Sequence, residues 1–250
     1  MKDVTYNAAA YVGGRPGYPE AAVASLVESL GVESTSKVLD LAAGTGKFTS
    51  ELVLVAGEVV AVEPEPSMRR ELVRRLPDVD VRDGHGTSIP LGDAEVDAVT
   101  VAQAFHWFCG TEALAEIARV LRPRGRLGLI WNVRDLSTPV QQALERIFVG
   151  HRGGSPTYRT SAWRDAFTED APFGPLHTDE FSQSQAVDQA GLTALALSMS
   201  YMSRLGTDER LEVEEAVAAI FAEHSSSGTW PVVEVQYRTN VFWAESRSVP

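Results

Sequence analysis

Five short apolar runs mark the first half of the chain: Val38–Leu41, Val59–Val62, Val79–Val81, Ala98–Ala102 and Leu127–Trp131. Amphipathic stretches of ten or more residues separate most of them. Runs that are nearly continuous in apolar residues suit strands buried on both faces, and their alternation with helical patterns marks βαβ units around a parallel sheet. The spacing predicts helices over Pro19–Leu30, Lys47–Val55, Ser67–Leu76 and Thr111–Leu121, the last stopped by Arg122-Pro123-Arg124-Gly125.

Beyond Asn132 the pattern loosens. A helix is expected over Pro139–Val149, followed by His151–Pro175, a segment rich in Gly, Pro, Ser and Arg whose length points to a functional or mobile loop. A strand is expected around His177–Ser182, then helices over Val187–Leu205 and Asp208–His224, with Gly206-Thr207 as stop and N-cap. Past Ser225-Ser226-Ser227-Gly228 the chain closes with Val232–Ala244, an alternating strand whose Tyr237, Phe242 and Trp243 suit a sheet. No repeat and no clean boundary appear, so residues 1–250 are expected to form one α/β domain. Its cofactor-binding core would span about 36–132, and a loop and helical cap over about 151–228 would select the substrate.

Composition narrows the classes. With 44% hydrophobic and 22% charged residues, the 250-residue chain matches an ordinary globule, which excludes disorder and fibrous repeats. No apolar run approaches the ~18 residues of a membrane span, and Met1-Lys2-Asp3-Val4-Thr5 has no signal-peptide h-region, so a cytoplasmic protein is expected. Cys109 is the only cysteine, which rules out an intrachain disulfide and a cysteine-based zinc site, and no metal is expected. A net charge of −12 argues against nucleic acid and anionic membranes as partners and for a small-molecule substrate.

The densest chemical signal is Val38-Leu39-Asp40-Leu41-Ala42-Ala43-Gly44-Thr45-Gly46-Lys47-Phe48-Thr49, a strand entering a small-residue turn that opens a helix. A P-loop would need Ser or Thr where Phe48 follows Gly46-Lys47, and a Gly five positions before Gly46. A dinucleotide fingerprint from Gly44 and Gly46 would need Gly or Ala where Thr49 stands, which weakens an NAD-dependent oxidoreductase without removing it. A non-catalytic cofactor-binding protein is a further alternative.

The stretch resembles motif I of the class I S-adenosylmethionine-dependent methyltransferases, with Asp40, Gly44 and Gly46 matching and Ala42 in place of the family's first glycine. Glu63, in Val62-Glu63-Pro64-Glu65-Pro66-Ser67-Met68, falls where the family places an acid for the ribose hydroxyls, a position that also disfavours NADP; Met68 takes the place of the residue that packs on adenine. Val81–Leu91 is similar to the third motif, with His85 where the family usually has Asp. A His85 nitrogen, Asp83 or a backbone carbonyl would then serve the adenine amino group. Ala102-Gln103-Ala104-Phe105-His106-Trp107-Phe108 resembles the fourth motif, and Leu121-Arg122-Pro123-Arg124-Gly125-Arg126-Leu127 the turn before the fifth strand. The His-Trp-Phe ending, with Tyr11–Pro19, points to the branch of trans-aconitate-methyltransferase-like and ubiquinone-biosynthesis-like enzymes.

The resemblance, close over about residues 6–132, implies a Rossmann-like methyltransferase fold: a seven-stranded, mostly parallel sheet with an antiparallel last strand and a helical cap inserted before it. It implies S-adenosyl-L-methionine as cofactor and S-adenosyl-L-homocysteine as product. The residues it assigns to the cofactor are Tyr11, Arg15, Asp40, Ala42, Ala43, Gly44, Gly46, Glu63, Pro64, Met68, His85, Gly86, Thr87 and Gln103.

Methyl transfer from a sulfonium is an in-line displacement with an activated leaving group, so alignment can supply up to ~7–11 kcal/mol. A base is needed only where the acceptor must lose a proton. His106, at the end of a central strand, is the candidate base, with a packing role beside Trp107 and Phe108 as the other reading. Arg15 is expected to pair with the methionine carboxylate or an acidic substrate, and Tyr11 and Tyr18 to belong to an amino-terminal lid. Arg152, Tyr158, Arg159, Trp163 and Arg164 suggest Arg-lined capture of an anionic substrate, or pairing with the chain's excess acids. Ser198, Ser200 and Tyr201 are expected near the same cavity, and Cys109 is expected to be inert.

Overall fold

The computed structural model describes residues 15–159 and 162–247. The chain divides into two compact units. Among the described residues, a sheet unit comprises 17–132, 156–159, 162–181 and 239–247, and a helical unit comprises 15–16, 133–155 and 182–238.

Strands β1 (Lys37–Leu41), β2 (Glu58–Val62), β3 (Asp80–Arg82), β4 (Val96–Ala102), β5 (Leu121–Arg134), β6 (His177–Val187) and β7 (Val233–Glu245) form one seven-stranded sheet in the order β3-β2-β1-β4-β5-β7-β6. β1 pairs in parallel with β2 and β4, β2 with β3, and β4 with β5. β7 runs against β5: the Asp135 amide donates to the Gln236 carbonyl at 3.0 Å, and the Ser246 amide to the Gly125 carbonyl at 2.8 Å, so numbers rise on one strand as they fall on the other. It also runs against β6, where Ser184 bonds Glu234 and His177 stacks on Trp243 at 4.1 Å. The mostly parallel sheet with its antiparallel last strand is thus present.

In the sheet unit, α1 (Glu20–Leu30) buries Ala22, Val23, Leu26 and Leu30 on one side and ends at left-handed Gly31, φ 65°. The helix expected over Lys47–Val55 is shorter. Only α2 (Thr49–Leu52) is α-helical, because Gly46 and Phe48 belong to the turn and the following residues close with i→i−3 bonds, such as Leu54 to Glu51. α3 (Pro66–Arg75) starts at Glu65, whose carboxylate accepts from the Ser67 amide at 3.2 Å, with Pro66 at the first helical position. α4 (Thr111–Val120) runs directly into β5, whose pairing jumps from Val96↔Leu121 to Ala98↔Arg126. The expected stop, Arg122–Gly125, therefore bulges out of the ladder.

The helical unit packs α5 (Pro139–Arg152), α6 (Gln189–Leu197) and α7 (Thr207–His224) around Leu144, Phe148, Leu192, Leu195, Val217 and Phe221, with Val233, Val235 and Tyr237 of β7. The expected helix Val187–Leu205 is interrupted. Val187 ends β6, and Asp188 caps α6 by accepting from the Gly191 amide at 2.7 Å. Ser198 then bonds back to the Leu195 carbonyl at 2.7 Å, and extended Met199 separates a 3₁₀ turn, Ser200–Arg204. No described helix is long and apolar enough to cross a membrane.

Candidate functional site

From β1 the chain winds outward to β2 and β3 on one side, and from β4 to β5 on the other, so the order reverses between β1 and β4. Ligands of open α/β sheets bind outside the carboxyl ends of strands at such a switch point. Both flanking strands end in strained backbone: Ala42 after β1 has φ 58°, and Gln103 after β4 has φ 63°. Neither residue is glycine, and a left-handed L-residue costs roughly 1–2 kcal/mol. Strain of this kind concentrates at ligand sites.

The turn itself follows from hydrogen bonds. The Ala43 amide donates to the Val62 carbonyl at 3.1 Å and the Gly46 amide to the Ala43 carbonyl at 3.0 Å. Gly44, at φ 60°, faces open space: a Cβ there would meet nothing within 4 Å. Gly46, at φ 77°, packs the other way, and a Cβ would stand 2.8 Å from Leu72 Cγ of α3. Thr45 is buried, and its hydroxyl has no partner among the described residues.

Two acids lie under and beside this turn. Asp40 is fully buried and accepts from the hydroxyls of Thr49 at 2.6 Å and Thr100 at 3.3 Å. Burial pushes its carboxyl up from 3.8 to about 7, against the pull of those two bonds. Its place is beneath the turn, tying β1, β4 and α2 together. Glu63, 6% exposed at the end of β2, accepts from the Gly44 amide at 2.8 Å and the Glu65 amide at 2.9 Å. Burial raises its carboxyl too, while these bonds and Arg69 favour the charged form.

Arginines of α3 brace the loops. Arg69 donates to the carbonyls of Glu63 and Pro64, both at 2.7 Å, and forks onto Asp83 at 2.9 and 3.1 Å. Arg75 donates to the Thr45 carbonyl at 2.7 Å. Met68 is buried on the same helix. In the third motif His85 is exposed, its Nδ1 3.0 Å from the Thr87 hydroxyl, while buried Gly86 lies so close to Phe108 that a Cβ would overlap the ring. Arg69, Arg75, Thr49 and Thr100 were not legible as site residues, because an arginine on an amphipathic helix or a threonine in a strand carries no sequence mark of what it braces.

After β4, His106 sits half-buried in the 3₁₀ turn Phe105–Trp107, and Trp131 Nε1 donates to its Nδ1 at 3.3 Å. Trp131 packs against Trp163 at 4.7 Å and Tyr158 at 5.1 Å, with Phe242 5.0 Å from Trp163. Arg164 lies 4.4 Å over Trp163 and donates to the Tyr158 hydroxyl at 3.0 Å. This part of the long loop is therefore a largely buried aromatic cluster with the exposed Arg164 lying over it. Arg152, by contrast, belongs to the helical unit and pairs with Glu145 at 2.7 Å.

Asp40, Ala42, Ala43, Gly44, Gly46, Glu63, Pro64, Met68, His85, Gly86, Thr87, Gln103 and His106 thus lie in one unit, at the carboxyl ends of β1–β4 and their loops. Arg15 lies in the helical unit, where its guanidinium donates to Ser198 Oγ at 3.2 Å and Ser198 O at 3.4 Å. Tyr11 lies outside the described residues. No metal-ligating group of His, Cys, Asp and Glu occurs among the described residues.

A glycine turn facing an acid on the neighbouring strand, at the switch point of a 3-2-1-4-5-7-6 sheet, defines an adenosyl-cofactor protein of the Rossmann-like methyltransferase class. Comparison with known proteins carries this further. Residues 39–129 match the methyltransferase domain family. An uncharacterized methyltransferase-like protein of Schizosaccharomyces pombe is 33% identical over 246 residues, covering 98% of this chain and 96% of its own. A solved structure assigned as a type II methyltransferase, from Anaeromyxobacter dehalogenans, superposes with a TM-score of 0.68 at 22% identity, covering 94% of this chain and 99% of that one. Geranyl diphosphate C-methyltransferase of Streptomyces coelicolor A3(2), solved with Mg²⁺, geranyl diphosphate and S-adenosyl-L-homocysteine, superposes at TM-score 0.53 and 14% identity, covering 90% and 77%. The chain belongs to the class I S-adenosylmethionine-dependent methyltransferases; it is an enzyme, and S-adenosylmethionine is its cofactor.

Proposed function

We propose that the sheet unit holds S-adenosylmethionine against the Ala42–Gly46 turn, and that the acceptor is a small anionic or aromatic molecule. The observation that carries the placement is the pair of strained residues, Ala42 and Gln103, that opens the ends of β1 and β4. Space in front of Gly44, with the Glu63 carboxylate beside it, fits a ribose. Each Glu63 oxygen accepts one amide and keeps a lone pair for a hydroxyl. Met68 and the His85–Thr87 loop are assigned to the adenine, and Asp40 to holding the turn from below. When bound, the cofactor supplies a methyl group on a sulfonium, whose leaving group needs no protonation.

The protein's part is then alignment and exclusion of water. Because Trp131 is a donor only, the Nδ1 of neutral His106 accepts and the ring proton sits on Nε2. In that tautomer His106 donates and positions; it does not serve as the base. An acceptor whose nucleophile is already deprotonated, such as a carboxylate, fits such a site.

The test is formation of S-adenosylhomocysteine with panels of small carboxylic acids, phenols, amines and RNA. Turnover is expected with a small acid or aromatic and not with RNA, and His106→Asn should keep kcat within about tenfold. A loss of 10²–10⁴-fold that also removes the acidic limb of the pH–rate profile would make His106 the base and overturn this reading.

A further inference from the structure

The aromatic cluster around Trp163 offers hydrogens and holds no acid to receive them. Tyr158, Trp163, Arg164, Phe242 and Trp131 all belong to the sheet unit. Trp131 follows Ile130, which pairs with Ala102 of β4 and accepts from the Gln103 amide at 2.9 Å. Because β1, β4 and β5 run in parallel, the cluster stands at the same edge of the sheet as the glycine turn after β1. Trp131 joins it to that edge, with its indole N–H donated to His106 at 3.3 Å.

The Tyr158 hydroxyl oxygen accepts twice, from Arg164 at 3.0 Å and from the side-chain amide of Asn240 at 3.2 Å. Donors therefore occupy its oxygen, and its own hydrogen is left to give; Tyr158 is partly exposed, so an acceptor from outside can reach it. The Arg164 guanidinium lies 4.4 Å over Trp163, 4.9 Å over Phe242 and 5.4 Å over Tyr158, and three rings hold in place a side chain that is otherwise free to turn. Arg69, Arg119 and Arg152 pair with carboxylates, whereas Arg164 pairs with none among the described residues, in a chain that has 34 acids to offer. Trp163 has no exposed surface, and its indole N–H also lacks an acceptor among the described residues. A buried donor without an acceptor is rare in a folded protein. Solvent can take any one of the exposed hydrogens singly; a carboxylate takes the guanidinium and the phenol together and matches the charge.

We propose that Arg164 and Tyr158 form the site that receives a carboxylate of the methyl acceptor, which makes the acceptor a small organic acid. The inference rests on the methyl-transfer reading only in making the bound acid the acceptor. One carboxylate oxygen takes a guanidinium N–H and the other the Tyr158 O–H, while Trp163 and Phe242 hold Arg164 and Asn240 holds the phenol oxygen.

The test is calorimetric titration of the full chain with benzoate, phenylacetate, succinate, citrate, inorganic phosphate and uncharged benzamide, each with and without S-adenosylhomocysteine, repeated for Arg164→Gln and Tyr158→Phe. At least one carboxylate should bind saturably and benzamide should not. Each variant should weaken that carboxylate about tenfold or more, while the affinity for S-adenosylhomocysteine stays within about twofold. Arg164 is exposed and Tyr158→Phe removes only a hydroxyl, so unchanged melting temperatures separate lost binding from lost fold. No saturable binding of any carboxylate by the unaltered protein, binding that neither variant weakens, or benzamide binding as tight as that of benzoate overturns the site. A response to phosphate alone overturns the choice of a carboxylate. Carboxylate binding without S-adenosylhomocysteine binding upholds the anion site and overturns the methyl-transfer reading instead.

Discussion

Ala42 holds φ at 58°, a conformation that glycine adopts without steric cost, so its methyl group is retained at the expense of backbone strain. Replacing it by glycine removes roughly 1–2 kcal/mol of left-handed strain and adds roughly 0.5–1 kcal/mol of unfolded-state entropy. Ala42→Gly should therefore stabilise the protein by up to about 1 kcal/mol in denaturant unfolding; a clear destabilisation would mean that the methyl group packs productively. Asp40 makes a pH prediction. With its carboxyl raised to about 7 from 3.8, the folded protein keeps a proton over that interval that the unfolded chain has released. Its stabilising effect is full below the unfolded value and is lost as pH rises through about 7. Asp40→Asn should flatten this part of the stability–pH curve, and an unaltered slope would show that Asp40 is ionised throughout. Asp40, Gly44, Gly46 and Glu63 were legible because residue type and interval together identify the motif. The strain at Gln103 was not, since nothing in its side chain announces a positive φ.

The ends of β1, β2, β4 and β7 were legible to within about two residues, because burial on both faces leaves continuous apolar runs, but β5 spans Leu121–Arg134 where Leu127–Trp131 was expected, and β6 runs on to Val187. Helix ends were less so. The periodicity through Leu192, Leu195 and Leu197 continues past Ser198, and only the hydroxyl's bond to the Leu195 carbonyl shows that α6 stops there. The same limit hid the bracing of the glycine turn by α3. Gly46→Ala would push a methyl group against Leu72 at a left-handed backbone position, and should cost roughly 2 kcal/mol or more in unfolding experiments along with cofactor affinity. Arg75→Ala, which frees the Thr45 carbonyl, should lower stability by about 1 kcal/mol and raise KM for S-adenosylmethionine with little effect on kcat. If kcat fell instead and KM held, Arg75 would act on the reaction and not on the turn.

Taken whole, a chain of net charge −12 places arginines where they brace or stack: from α3 against the glycine turn, over an aromatic cluster, and around Glu145 in the helical unit. Sequence spacing located the glycine turn, and it grouped Arg152 with Arg164, which belong to different units. A ligand that binds only the folded chain raises its melting temperature. At a hundred times Kd the gain is about 2.7 kcal/mol, or roughly 5–10 °C for a protein of this size.

Calorimetric titration with S-adenosylmethionine, S-adenosylhomocysteine and NAD, on the unaltered protein and on Glu63→Gln, tests the placement of the cofactor most directly. Both adenosyl ligands should bind and NAD should not, and Glu63→Gln should weaken both by tenfold or more without unfolding the protein. Adenosyl binding indifferent to Glu63, or tight binding of NAD, would contradict the account.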